Sequence, residues 1–194
     1  MMKLFFNSIS CWVLAGVLAG SCWAGPIGTS SVAGGILYGT GEEMTIYFRG
    51  SEAGFDSRLW LDLEPALGPF FPNHSTAPGT SISLGVVPLN TPLVFHLEVI
   101  TEPYDWRMGP AGSNSDGQVH ARITPWAADP LIPANGFLVG WEDWPGESDF
   151  DYNDHEFVAA GVSDTPTPTP EPATFLMLGA ALVGLGLMRV RRAR

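Results

Sequence analysis

Between Gly140 and Phe157 the chain reads Gly-Trp-Glu-Asp-Trp-Pro-Gly-Glu-Ser-Asp-Phe-Asp-Tyr-Asn-Asp-His-Glu-Phe. Seven carboxylates fall in that stretch, and the side-chain oxygen of Asn153 adds a neutral eighth donor. Carboxylates this close repel one another, and a hard cation relieves the repulsion. Calcium takes about 6–8 oxygen ligands and tolerates irregular loops. The candidate ligands are Glu142, Asp143, Asp149, Asp151, Asn153 and Asp154, with Asp116 from an upstream turn.

Asp149, Asp151 and Asn153 alternate as in the first half of an EF-hand loop. The match ends there. Asp154 stands where that loop needs glycine, and Ala160 stands where it needs glutamate. A loop of a β-domain donating the same oxygens is the expectation. Trp141, Phe150, Tyr152 and Phe157 would pack inward while the acids between them turn toward one shared point. The ion would tie the loop between the last two strands to the Asn114–Gly117 turn.

The same acids also admit an enzyme. Glu142 with Asp149 or Asp154 could act as acid and base on a glycosidic bond, assisted by His120. Against this, the acids form a crowd, and none stands apart in apolar surroundings. Gly-x-Ser-x-Gly and His-Glu-x-x-His are both absent, and His155-Glu156 alone is too little for zinc. The crowding favours an ion over catalysis by any one of these residues. A third possibility is a carbohydrate-binding module that stacks sugars on Trp60, Trp106, Trp126 or Trp144. Core or rim positions explain those tryptophans better, and Trp144, beside Pro145, is the best exposed candidate.

Charge narrows the partners. Between Gly25 and Val162 four arginines, Arg49, Arg58, Arg107 and Arg122, stand against eighteen acids, a formal charge of −14. Nucleic acid and anionic lipid are poor partners for such a surface, and divalent cations are good ones.

The elements that must position the acids read as strands. Met44, Ile46 and Phe48 alternate with polar neighbours, as do Leu59, Leu61 and Leu63; Ile82, Leu84 and Val86; and Phe95, Leu97 and Val99. Val119, Ala121 and Ile123 follow the same period, then Phe137, Val139 and Trp141. Gly and Pro punctuate the gaps, as at Pro78-Gly79 and Gly109-Pro110. Residues 25–162 are expected to form one all-β domain, an antiparallel β-sandwich of jelly-roll type.

Targeting segments flank this domain. Lys3, an apolar stretch from Ile9 to Leu18 and small residues ending Cys22-Trp23-Ala24 read as a signal peptide over residues 1–24, implying export through the Sec translocon. Ala19-Gly20-Ser21-Cys22 is a weaker, lipoprotein-like alternative. Cleavage after Ala24 removes Cys11 and Cys22, the only cysteines, so no disulfide can staple the domain. Residues 163–172 alternate Thr and Pro and read as an extended linker. Residues 173–194 read as a transmembrane helix with a basic tail. The run from Ala173 to Met188 is uncharged, and Arg189 and Arg191 can snorkel to lengthen a span slightly short of the usual 20 or so residues. Arg189, Arg191, Arg192 and Arg194 hold the end on the cytoplasmic side.

Pro170-Glu171-Pro172, the apolar run and the terminal arginines together resemble the sorting signal of PEP-CTERM proteins of Gram-negative bacteria. That resemblance implies recognition by exosortase, a membrane protease-transpeptidase, and processing near Pro170–Pro172. It also implies anchoring in the inner membrane facing the periplasm, later release to the cell surface or matrix, and an association with exopolysaccharide. Gly140-Trp141-Glu142-Asp143, Asp149-Phe150-Asp151-Tyr152-Asn153-Asp154 and the segment Asn114–Ala121 resemble the bacterial domain of unknown function numbered 4114. Gly146-Glu147-Ser148 departs from the glycine-rich turn of that family. Taken together, the expectation is an exported, calcium-binding β-domain of structural or adhesive role.

Overall fold

A computed structural model of the chain describes residues 31–63, 66–146 and 149–168. The signal peptide read over residues 1–24 and the apolar segment 173–188 lie outside them. Among the described residues no helix is long and apolar enough to cross a membrane.

The period-two patterns become strands. In chain order these are β1 (Val32–Ala33), β2 (Leu37–Gly39), β3 (Glu43–Gly50), β4 (Ser57–Leu61), β5 (Leu67–Phe70), β6 (Ser81–Val86) and β7 (Pro92–Leu93). They continue with β8 (Phe95–Val99), β9 (Tyr104–Arg107), β10 (Ala121–Trp126), β11 (Gly136–Trp141), β12 (His155–Ala160) and β13 (Val162–Ser163). One 3-10 turn, Ala111–Ser113, follows β9.

Every strand pair is antiparallel. A six-stranded sheet runs β1-β10-β11-β12-β3-β6, a four-stranded sheet runs β5-β4-β8-β9, and β13-β2-β7 form a small third sheet. Met44, Ile46 and Phe48 on β3, Val139 and Trp141 on β11 and Phe157 on β12 turn their side chains to the core from the larger sheet. Leu59 and Leu61 on β4, with Phe95, Leu97 and Val99 on β8, meet them from the other. The rings of Phe95 and Phe157 touch across the sheets with centroids 4.8 Å apart. The fold is thus an all-β sandwich. Each fully buried Leu or Phe contributes about 2–3 kcal/mol of apolar burial, and this core does the work that a disulfide would do in a smaller exported domain.

One alternating segment departs from expectation. Ile82 and Leu84 are only half-buried, and Val86 is 70% exposed. β6 is an edge strand, and Gly85 has a left-handed φ of 78° where the β3–β6 register shifts. The bulge rotates the last residues of β6 out of phase, so the apolar pattern no longer tracks one face.

Candidate metal centre

The acidic block forms the connection between β11 and β12, adjacent strands at the centre of the larger sheet. Those two strands are paired through Trp141 and His155, so the loop leaves and re-enters the sheet at one point. A Cβ at Gly140 would come within 2.1 Å of the Tyr152 carbonyl oxygen. Only glycine there lets the loop's return limb lie directly across β11.

Two ring N–H groups clamp the start of the loop. Trp106 Nε1 donates to the Asp143 carbonyl at 2.8 Å, and His120 Nδ1 lies 2.9 Å from the Glu142 carbonyl. A carbonyl oxygen only accepts, so Nδ1 of His120 carries a proton. Both rings are almost wholly buried and stacked on each other.

The return limb has an unusual backbone. Phe150 and Tyr152 hold φ values of 54° and 62°, a region that aromatic residues rarely occupy. These two residues break the strand-like alternation expected through the loop. Trp141, Tyr152 and Phe157 do pack inward, but Phe150 is 39% exposed, contrary to the expectation that all four aromatics face the core. Its left-handed backbone removes it from the period that would have turned it in.

The seven candidate ligands fall into separate groups. Glu142, Asp149 and Asp151 converge: one carboxylate oxygen from each lies within 4.8 Å of the other two. Glu142 is fully buried and accepts the Tyr152 N–H, while Asp149 and Asp151 are exposed. Asn153 stands beside this group, with Nδ2 donating to Asp151 Oδ2 at 2.6 Å and to Glu52 Oε2 at 3.3 Å. Arg122 borders it, donating to the Asp151 carbonyl at 2.6 Å with its guanidinium 4.5 Å from the centre of the Tyr152 ring.

Asp143 and Asp154 make a second group. The Asp143 N–H donates to Asp154 Oδ2 at 2.9 Å. Burial, the neighbouring Asp154 and then Glu142 push the Asp143 carboxyl up to about 7. Asp154 is also raised, chiefly by burial. Asp143 Oδ2 is buried and meets no hydrogen-bond partner among the described residues. No such group was legible beforehand, because nothing in the spacing separates Asp143 from its exposed neighbours.

Asp116 stands apart from both. Its Oδ2 lies 3.0 Å from His120 Nε2 and accepts the Gly146 N–H at 3.3 Å, while Oδ1 accepts the Gln118 N–H at 3.0 Å. Burial pushes this carboxyl up, but the Gln118 N–H, the His120 ring and the Gly146 N–H outweigh it and hold it below the usual carboxylate range. The Asn114–Gly117 turn is therefore joined to the acidic loop through protein hydrogen bonds. His120, named in the sequence only as a possible aid to a catalytic pair, is the buried link.

Among the tryptophans, Trp106 is core and Trp60 and Trp126 are half-buried. Trp144 is 43% exposed, stacked on Phe55 with centroids 5.2 Å apart and planes within 8°.

The donor set at Glu142, Asp149 and Asp151 is oxygen only. Three charges in that space suit a hard divalent cation such as calcium and lack the nitrogen or sulfur ligands that zinc favours.

No curated protein and no solved structure matches the chain. The resemblance of the segment around Asn114–Ala121 and the acidic block to the domain of unknown function numbered 4114 is not confirmed. Residues 168–192 match the family model of the PEP-CTERM protein-sorting motif, which takes in Pro170-Glu171-Pro172 and Arg189, Arg191 and Arg192. The chain thus carries a PEP-CTERM sorting signal, and that signal implies an exported, membrane-anchored precursor and processing by exosortase.

Proposed function

We propose that the β-sandwich binds one calcium ion in the β11–β12 loop and serves a structural or adhesive role at the cell surface or in an exopolysaccharide matrix once exosortase has processed it. The observation that carries this is the convergence of Glu142, Asp149 and Asp151 oxygens within 4.8 Å of one another on a loop clamped to the core. Glu142 supplies a buried, fixed oxygen; Asp149 and Asp151 close from the solvent side. The ion neutralises charges that otherwise strain the loop.

The test is thermal unfolding with calcium and with a chelator. Calcium at a hundred times its dissociation constant stabilises the folded state by roughly 2.7 kcal/mol, or about 8 °C in a domain of this size. Equal melting temperatures in calcium and chelator contradict the proposal.

A second reading rests on Asp143. A carboxyl held near neutral pH by burial is a form that general acids take. But Asp143 is only 3% exposed, so a glycosidic oxygen would have to enter the protein to reach it. Polysaccharide turnover that survives refolding and vanishes in Asp143→Asn would favour this enzyme over a calcium-bound structural domain.

A further inference from the structure

We infer that Asn90 clasps the linker against the domain and restrains access to the sorting signal, so that release of this clasp precedes processing. The linker does not leave the body at the last strand of the sandwich. Val162 and Ser163 pair with Gly39 and Tyr38 of β2, and the Thr40 hydroxyl donates to the Gly161 carbonyl at 2.8 Å. The Ser163 hydroxyl then donates to the Thr165 carbonyl at 2.7 Å, turning the chain. At Thr167 it meets Asn90: the Thr167 N–H donates to Asn90 Oδ1 at 2.7 Å, and Asn90 Nδ2 donates to the Thr167 carbonyl at 2.9 Å.

Both partners are built for this. Thr167 precedes Pro168, and a residue before proline is pushed to an extended backbone. In that conformation its N–H and C=O point to the same side, matching the two ends of one side-chain amide. Asn90 sits in a turn with φ 62°, a conformation that Asn adopts more readily than most residues. Its backbone N–H donates to the Gly39 carbonyl at 2.8 Å, and Gly39 N–H donates to the Thr91 carbonyl at 2.9 Å. The same strand, β2, therefore anchors both the start of the linker and the residue that catches it farther on. Pro166 and Pro168 stiffen the segment and reduce the entropy lost on docking.

The clasp lies one residue before the matched motif and three before Pro170. From Val162 an extended chain to Ala173 would span about 34 Å, whereas from Thr167 only about 19 Å remains at 3.1 Å per residue. A membrane protease that must lay an extended segment into its active site therefore meets a short tether held at one end. Opening two exposed hydrogen bonds lengthens that tether by about 15 Å. The inference rests on the sorting signal being processed in this chain.

The test combines amide hydrogen exchange at Thr167 with pulse-chase processing of the full chain as wild type, Asn90→Gly and Asn90→Asp. Glycine keeps the left-handed backbone and the bond to Gly39, so the turn survives while the clasp is deleted. We expect exchange at Thr167 to rise on the order of tenfold in Asn90→Gly, and the precursor to be processed several-fold faster. Asn90→Asp should fall between, because a carboxylate still accepts the Thr167 N–H but offers no donor to its carbonyl. Unchanged exchange overturns the clasp. Faster exchange with unchanged or slower processing overturns the restraint. Precursor that persists in all three forms contradicts processing itself and the restraint with it, while exchange at Thr167 still judges the clasp.

Discussion

The Trp106 indole and the His120 imidazole lie parallel, with centroids 3.8 Å apart and planes within 1° of each other. Each reaches one of two consecutive carbonyls, Asp143 for the indole and Glu142 for the imidazole. One stacked pair thus fixes the backbone of two successive acids, and His120 adds Asp116 on its other nitrogen. The loop's first limb is set by the core, whereas its second limb carries the exposed Asp149 and Asp151.

Replacing Trp106 by Phe should therefore harm more than packing. The smaller ring leaves a cavity and orphans the Asp143 carbonyl, at a joint cost of about 3 kcal/mol. Urea unfolding checks the stability. Calcium affinity should fall in the same variant, because Asp143, next to Glu142, loses its clamp and the His120 ring that holds the Glu142 carbonyl loses part of its stacking partner. A stability loss with unchanged calcium affinity would separate the stacked pair from the metal centre.

Burial of the Asp143 carboxyl makes stability fall as pH rises. Its folded value is raised to about 7 from an ordinary value near 4. The stability it contributes is fully present below about 4 and is lost as pH rises through about 7. In chelator, Asp143→Asn should lose less stability than wild type between pH 5 and pH 8, by about 2 kcal/mol. Parallel pH profiles for the two proteins would show that the buried carboxyl ionises without cost.

His155 runs the other way. Complete burial lowers its ring to about 3, with Nδ1 3.1 Å from the Ser57 hydroxyl and Nε2 without a partner among the described residues. A depressed histidine leaves stability intact above about 6.5 and drains it as pH falls toward 3, on the order of 4 kcal/mol when complete. Unfolding of Asp143→Asn, with and without His155→Phe, at pH 7, 5 and 4 isolates this effect. The double variant should show the flatter acid limb, and equal slopes would contradict it.

How far the sequence foretold this molecule depends on the range of the forces involved. Met44, Ile46 and Phe48, or Phe95, Leu97 and Val99, announce buried strand faces because burial acts on alternate residues of one short segment. Val86 misled because a bulge at Gly85 changes the phase, and the consequence of that one φ value does not show in hydrophobicity. Within the acidic block the residue types pointed to a cation, and Glu142, Asp149 and Asp151 do converge. The separation of Asp143 with Asp154, and of Asp116 with His120, was not legible. It depends on Trp106 and His120, which meet the loop from 37 and 22 residues away. The Asn90–Thr167 pair, 77 residues apart, left only a faint trace: an asparagine in a turn and a threonine before a proline.

The most direct measurement is calorimetric titration of calcium into the wild-type protein and Asp151→Asn at pH 7. The account predicts a single saturable site in the wild type and at least a tenfold weaker one in the variant, since one of three converging carboxylates is neutralised. A wild-type protein that takes up no calcium, or a variant that binds it equally well, would contradict it.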